Sequence, residues 1–249
     1  MSHSVEFILP VLNEEKIISA SVYAIHNFLE AHFEDYAWQI TIADNGSTDK
    51  TADISKILST KFDRVNYVRI AQKGRGRALK QCWTSSQSDI VAYMDIDLST
   101  QLDDIRPLLD SISKNSYDLA IGSRLIKGSI VEGRSRKREI TSRAYNKIIQ
   151  LVFSVNFNDA QCGFKAISRS AADHIVPLIK DSGWFFDTEL LVIADKCDYR
   201  IKEVPVRWSD DPDTRVKVLS TALYDLCGLA RLKFGGLRSA KSKLRFSRQ

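Results

Sequence analysis

The chain has 249 residues, of which 44% are hydrophobic and 27% charged, with a formal net charge of +5. Such a composition builds a sizeable core and excludes an intrinsically disordered protein. The four cysteines, Cys82, Cys162, Cys197 and Cys227, form no C-x-x-C pair and have no histidine cluster beside them, so neither a zinc site nor a disulfide framework is expected, and a reducing setting fits best.

In chain order, Val5–Val11 reads as a strand, too short and too acidic for a signal peptide. Glu14–Phe33 follows as a helix, with Ile17, Ile18, Val22, Ile25, Phe28 and Leu29 along one face. Trp38–Ala43, Val65–Ile70, Ile90–Met94 and Leu119–Ile121 repeat the strand pattern, with helices expected near 48–60, 77–87 and 102–114. This alternation predicts an α/β fold with a mostly parallel central sheet flanked by helices on both faces. In such sheets ligands bind at the carboxyl ends of the strands. The second half is less regular: a basic segment Arg134–Arg138, a helix near 139–154, a strand Cys162–Ile167, a helix near 187–197 and a strand Ile201–Val206. Val216, Leu219, Ala222, Leu223, Leu226, Leu229, Ala230 and Phe234 recur at helical spacing, a stripe that suits either core packing or membrane contact. Residues 235–249 carry Arg238, Lys241, Lys243, Arg245 and Arg248 with no acid, so the tail accounts for the whole charge excess. The expected organisation is one domain over 1–234, with a possible amphipathic helix at 216–234, and a basic tail over 235–249 that is flexible or lies on a membrane surface. No apolar run approaches the roughly 18 residues that cross a bilayer.

The residues after the strands carry the chemistry. Asp95-Ile96-Asp97 follows a buried strand, and two carboxylates at this spacing converge on one hard cation if the chain turns there. The bland reading is a helix cap beside a solvated acid. Asp44 ends another strand and is placed to reach the base or ribose of a nucleotide, and Ser47 or Thr48 suits a helix start. Lys73-Gly74-Arg75-Gly76-Arg77 is a cationic, glycine-bearing loop opening a helix, where backbone N–H groups and guanidinium charge suit a diphosphate. It matches neither the P-loop nor the dinucleotide fingerprint, which disfavours both classes.

Taken together, Phe7–Glu15, Ala43–Thr51, Lys73–Leu79 and Asp95–Ser99 resemble the ordered motifs of family-2 glycosyltransferases with the GT-A fold. Gly122-Ser123-Arg124, Ser142-Arg143 with Asn146, Asp159–Lys165, Phe186–Leu191 and Glu203–Trp208 are similar to the polyprenyl-phosphate branch, the dolichyl-phosphate glucose and mannose synthases. The resemblance implies that Pro10, Leu12, Glu14, Asp44, Arg75, Asp95 and Ile96 line the nucleotide sugar, and that Asp95 and Asp97 serve a Mg2+ or Mn2+ ion. It further implies that Arg124, Arg138, Ser142, Gln161 and Arg215 gather the donor diphosphate and acceptor phosphate, with Asp97, Asp187 and Arg124 as the catalytic set. Ser99 stands where mannosyl relatives often carry Gln, which leaves a third metal ligand unassigned.

Sugar transfer expels a diphosphate, so fixed positive charge must meet the leaving group. A hydroxyl acceptor would need a base, for which Asp187 or Glu189 are the candidates. A lipid phosphate is already anionic and needs none. Arginines on the acceptor side, against four histidines outside every motif, favour a polyprenyl (dolichyl or undecaprenyl) phosphate. The expected activity is metal-dependent, inverting hexose transfer, with UDP-glucose preferred; the alternatives are GDP-mannose as donor or a saccharide hydroxyl as acceptor. The expected location is cytoplasmic and peripheral on the cytoplasmic face of a membrane. A nucleic-acid binder using the basic tail is disfavoured, because it leaves the acidic triplet without a purpose.

Overall fold

The computed structural model describes residues 3–210 and 218–247; the side chains of 218–223 and 245–247 lie outside that description. In chain order the elements are β1 (Ser4–Val11), α1 (Ile18–His32), β2 (Ala37–Asp44), α2 (Thr51–Lys61), β3 (Val65–Arg69), α3 (Arg75–Ser85), β4 (Ile90–Met94), α4 (Ile105–Ser113) and β5 (Leu119–Ser123). They continue as β6 (Ile130–Glu132), α5 (Arg136–Phe153), β7 (Phe164–Ser168), α6 (Arg169–Ile175), α7 (Phe186–Lys196), β8 (Ile201–Pro205), β9 (Arg207–Ser209), α8 (Val218–Arg231) and α9 (Leu237–Ser247). The main sheet runs β3-β2-β1-β4-β7-β5-β8, and a short ribbon pairs β6 with β9.

Strand periodicity explains the three layers. Val5, Phe7, Leu9 and Val11 of β1 point to one face, where they meet Ile18, Val22, Ile25 and Leu29 of α1 and Leu108 and Leu109 of α4. Ile8, Val91 and Tyr93 point to the other, against Leu79 and Trp83 of α3, Ile175 of α6 and Leu190 and Leu191 of α7. With both faces covered, the strands read as continuous apolar runs.

Two features of this topology position the site. The chain winds outward from β1 through β2 to β3 and then returns to the other side of β1 as β4, so the strand order reverses between β1 and β4. That reversal opens a crevice above their carboxyl ends. Beyond it, β7 runs antiparallel to both β4 and β5. Its beginning, Gly163-Phe164, therefore lies at the edge where the parallel strands end.

The second half departs from the sequence expectation at its end. Where a flexible tail is expected, α9 packs on the sheet's second face with Ala240 and Leu244 each less than 5% exposed, while Arg238, Lys241 and Lys243 face solvent. Two apolar residues four apart supply one buried stripe, which is enough to dock a helix of this length. Of the apolar stripe expected over 216–234, Leu229 is buried and Leu226 and Phe234 are exposed; Val216, Leu219, Ala222 and Leu223 lie outside the described residues or side chains, as do Arg245 and Arg248. No helix among the described residues is long and apolar enough to cross a membrane.

Docking of α9 is testable. Leu244→Ala should lower the unfolding free energy by about 2–3 kcal/mol, read by chemical denaturation, whereas Lys243→Ala should leave it unchanged; equal and negligible effects would mean that the segment does not pack.

Candidate active site

The loops after β1 and β2 lock together before any ligand enters. Asn13 adopts a left-handed backbone (φ 56°), its N–H donates to Ser47 Oγ at 2.9 Å, and its side-chain oxygen accepts from Thr48 N at 2.8 Å. Glu14 N donates to Thr51 Oγ1 at 2.8 Å. Half-buried Pro10, Leu12 and Glu14 thus form a fixed wall at the crevice. Asp44 is fully buried, and its carboxylate already accepts from Ser47 N, Tyr67 Oη and Arg69 at 2.8, 3.1 and 3.0 Å. Its observed role is to shape the Asn45–Thr48 turn, a task the sequence reading does not assign to it.

β4 stops at Met94, and the acidic triplet forms the turn that convergence of its carboxylates requires. Leu98 N donates to Asp95 O at 3.3 Å, with Leu98 in the left-handed region (φ 55°). A bulky residue there stores strain, as functional turns often do. Ile96 sends its side chain into the core, so it can meet a ligand only through its backbone. Asp97 is exposed, and its Oδ1 accepts from Ser99 N at 3.0 Å. Asp95 lies against Gly163: a Cβ there would sit 1.7 Å from Asp95 Oδ2, so no other residue fits without moving the carboxylate.

Asp95 belongs to a buried relay of alternating charge. Arg75 Nη2 donates to Asp95 Oδ1 at 2.6 Å and Arg75 Nη1 to Asp187 Oδ2 at 3.2 Å. Asp187 Oδ1 accepts from Tyr93 Oη and lies 2.9 Å from Lys165 Nζ. Register explains the meeting, since Tyr93 of β4 pairs with Lys165 of β7 and both point to the same face. Burial alone would lower the Arg75 pKa, but Asp95, Tyr93 and Asp187 outweigh it and hold the guanidinium charged. Burial, opposed by Arg75 and helped by Asp97, moves Asp95 up from the ordinary carboxylate range.

The glycine loop differs from its sequence reading as a phosphate cradle. Gly74 N donates to Asn45 Oδ1 at 3.3 Å and Arg77 N to Ser182 O at 3.1 Å. Gly74 has φ 145°, and a Cβ on it would lie 2.4 Å from Ser182 O; one on Gly76 would lie 2.6 Å from Phe186 Cβ. These glycines let α3 press against the start of α7, and it is the side chain of Arg75 that enters the site.

The other half of the crevice is built around Asp159. Arg124 grips it through Nε at 2.7 Å and Nη2 at 2.8 Å, adds its backbone N–H at 3.0 Å, and lies 4.7 Å from the Trp208 ring. Burial would raise the Asp159 pKa, yet the charge and hydrogen bonds of Arg124 hold it at about 2. Arg124 is thereby engaged by the protein itself, which separates it from the free diphosphate ligand expected of it. Gln161 Nε2 donates to Asp225 Oδ2 of α8 at 3.0 Å. Arg138 Nη1 donates to Asp210 Oδ2 at 2.9 Å, and Ser142, one turn on, is buried with its Oγ unpartnered. Arg215 lies outside the described residues. Glu189, a candidate base, is fully engaged: its two oxygens accept from Arg231 at 2.8 Å each, and Oε2 also accepts from Asp181 N at 2.9 Å.

Several site residues escape sequence reasoning. Lys165 is 1% exposed in the middle of an apolar strand, and a lysine at such a position is itself a signal. Arg134, a member of the basic segment, has a side chain only 9% exposed, with Nε and Nη1 lacking hydrogen-bond partners. Burial and then the neighbouring Arg124 charge push its pKa down. Asp225 is buried, and burial raises it to about 6 against the hydrogen bonds of Tyr145 and Gln161. Among the described residues no three His, Cys, Asp or Glu side chains gather as a metal cage. Asp95 and Asp97 are therefore a two-carboxylate set, of the kind that suits a hard cation completing its shell with water and phosphate.

The crevice at the switch point thus combines a turn bearing two carboxylates with the buried cations Arg75 and Lys165 beneath it. Residues 6–176 match the family model described as glycosyl transferase family 2. The chain is 34% identical over 220 residues to glycosyltransferase AglD of Haloferax volcanii, covering 88% of this chain and 35% of that one. It is 30% identical over 222 residues to the dolichyl-phosphate beta-glucosyltransferase of Saccharomyces cerevisiae, covering 82% of this chain and 66% of that one. The fold is similar to glucosyl-3-phosphoglycerate synthase from Mycobacterium tuberculosis, solved with Mn2+, uridine diphosphate and phosphoglyceric acid, at a TM-score of 0.63 and 19% identity over 96% of this chain and 78% of that one. The chain spans about a third of the length of AglD and about two thirds of the yeast relative. It belongs to glycosyl transferase family 2.

The Arg124–Asp159 pair gives a stability prediction. Because the folded pKa of Asp159 is depressed, its contribution is present above the unfolded pKa of about 4 and is lost as pH falls through about 2. Asp159→Asn leaves the buried guanidinium uncompensated and should cost about 3–5 kcal/mol at neutral pH, measured by denaturant unfolding. An unchanged midpoint would show that the pair is not the frame of this half.

Proposed function

We propose that this chain transfers glucose from UDP-glucose to a polyprenyl phosphate, with inversion at the anomeric carbon. The observation that carries the acceptor class is an imbalance on the acceptor side. Asp187 and Glu189, the expected bases, are each fastened by cations, while the mostly buried guanidinium of Arg134, near Arg124, is paired with Glu139 at 3.5 Å and leaves Nε and Nη1 without a hydrogen bond. A site of that kind suits an acceptor that arrives already anionic. The dolichyl-phosphate glucosyltransferases among its relatives support the same class and favour dolichyl phosphate and a glucosyl donor.

In this reading Pro10, Leu12 and Glu14 wall the nucleotide, and Arg75 turns positive charge toward the donor diphosphate from its seat between Asp95 and Asp187. Arg134, with Arg138 and Ser142, holds the acceptor phosphate. A phosphate oxygen forms the bond to the anomeric carbon as the bond from that carbon to the diphosphate oxygen breaks, and UDP leaves with the electron pair. The nucleophile carries no proton, so none has to be removed. Asp97, with Asp95, would hold a divalent cation, Mg2+ or Mn2+, which when bound supplies charge neutralisation for the leaving diphosphate. The Mn2+ in the similar glucosyl-3-phosphoglycerate synthase supports that cation set. The protein would work at the cytoplasmic face of a membrane as a peripheral enzyme.

One observation favours a second reading, transfer to a saccharide hydroxyl. Asp225 is a buried carboxylate with Gln161 and Tyr145 as hydrogen-bonding neighbours, and burial raises it to about 6, the range that suits a general base.

Incubation with UDP-glucose, a divalent cation and a short polyprenyl phosphate should yield a glucosyl-phospholipid; product from GDP-mannose alone would reverse the donor assignment. Asp97→Ala should lower kcat at least about 100-fold, with the melting temperature retained. Asp225→Asn separates the two acceptor classes. With a phosphate acceptor kcat should change no more than a few-fold and show no new pH dependence near 6, whereas loss of a general base would lower it about 100- to 10,000-fold.

A further inference from the structure

Helix α5 carries two apolar faces. Ser142, Asn146, Ile149 and Phe153 are buried against the domain, and on the opposite side Ile140, Ile148 and Leu151 are 69%, 40% and 72% exposed. At 100° per residue these three, with exposed Ala144 between them, form one stripe diametrically opposite the buried face. The kink after α8 adds to it. Lys233 Nζ donates to Val152 O at 2.7 Å, which fastens the kink to the carboxyl end of α5, and the next residue, Phe234, is 88% exposed before Gly235 in the left-handed region (φ 136°). A large aromatic held this far out, at a kink fastened to the end of the helix that carries three exposed aliphatic residues, is a surface in need of a partner.

Charge identifies that partner. Arg136, Arg143 and Lys147 lie along one flank of the stripe, Lys137 falls within it, and Lys233 adds to them at the kink, all of them exposed. The single acid of the helix, Glu139, is held by Arg134 and Arg143. A second copy docking here would bring two basic borders together, whereas an anionic lipid surface neutralises both. Among the described side chains of the basic helix α9, Ala240 and Leu244 face inward and no exposed apolar stripe is formed. We propose that the outer face of α5, with Phe234, is the surface that inserts into an anionic bilayer. This deepens, and rests on, the lipid-phosphate reading above. α5 also carries Arg138 and Ser142 in its first half, so a helix lying flat at the level of the headgroups brings those side chains to the depth at which a lipid phosphate resides.

The test is co-sedimentation of the full chain with phosphatidylcholine vesicles containing phosphatidylglycerol. The double variant Ile148→Glu, Leu151→Glu, and separately Phe234→Glu, should each reduce the partition coefficient roughly tenfold or more. Ile57→Glu, at an equally exposed isoleucine on α2, should bind as the parent does. Turnover of a short, water-soluble polyprenyl phosphate should be unchanged in all of them, and turnover of a long-chain acceptor embedded in the vesicles should fall with binding. Vesicle binding that is absent in the parent, or insensitive to these substitutions, overturns the proposal. So does conversion of a dimer to a monomer by Leu151→Glu, which would assign the stripe to a second copy. Failure to use any polyprenyl phosphate would sink the acceptor reading separately, leaving the vesicle result to stand on its own.

Discussion

Arg75 and Lys165 enclose Asp187, and Arg75 reaches on to Asp95, so two cations and two carboxylates share one seam, buried except at the half-exposed Asp95. Each charge alone would cost several kcal/mol to hold out of water. Together they sum to zero, and Tyr93 Oη adds a hydrogen bond to the Asp187 carboxylate. Four elements contribute: β4 and β7 through adjacent register positions, α3 through its first residue, and α7 through its first turn. None of these can shift without exposing an unpaired charge to the others. The seam therefore fixes the angle between the sheet and the two helices that close the crevice, and Gly76 and Gly163 are the places where side chains had to be removed to let those elements approach.

That coupling has a consequence for chemistry. Asp187 has lone pairs committed to three donors, so proton transfer from a substrate would require breaking part of the seam. A carboxylate in that situation serves as a strut. It keeps Arg75 extended toward the crevice, where a developing negative charge would meet a donor already in place and paying no reorganisation. The cation–π contacts of Arg75 with Tyr93 at 5.0 Å and Trp184 at 5.1 Å restrain the same side chain from above and below.

Much of this was legible in the sequence, and the failures have definite causes. The strands and helices of the first half and the acidic turn follow from periodicity and from polar residues at strand ends, and they fall within a few residues of the expected places. Direction is different: Cys162–Ile167 has the same apolar pattern whether it runs with or against its neighbours, so the antiparallel β7, and with it the juxtaposition of Gly163 and Asp95, could not be read. The seven-residue α6 is too short to show a helical period. The basic residues of α9 outnumber its buried pair and mask it. The Gly74–Gly76 loop looked like an anion cradle because both uses of glycine look alike in one dimension; only the proximity of Ser182 and Phe186 distinguishes close packing from phosphate binding.

The arginines of the acceptor half show why residue type alone could not assign their roles. Arg124 and Arg134 are both buried, but Arg124 has a carboxylate matched to it in two hydrogen bonds, and Arg134 has only Glu139 at 3.5 Å without a hydrogen bond. Arg124 and Asp159 together contribute almost no net field. They form a rigid wall, joined to α5 because Asn146 Oδ1 accepts from Ala160 N at 2.8 Å. Arg134 lies near that wall with Glu139 at 3.5 Å and no hydrogen bond from Nε or Nη1, and burial together with Arg124 lowers its pKa. In the proposed reading, an anion reaching Arg134 would supply the hydrogen bonds it lacks. Affinity for a phosphate would then come less from the number of arginines than from the one that the fold leaves short of hydrogen bonds.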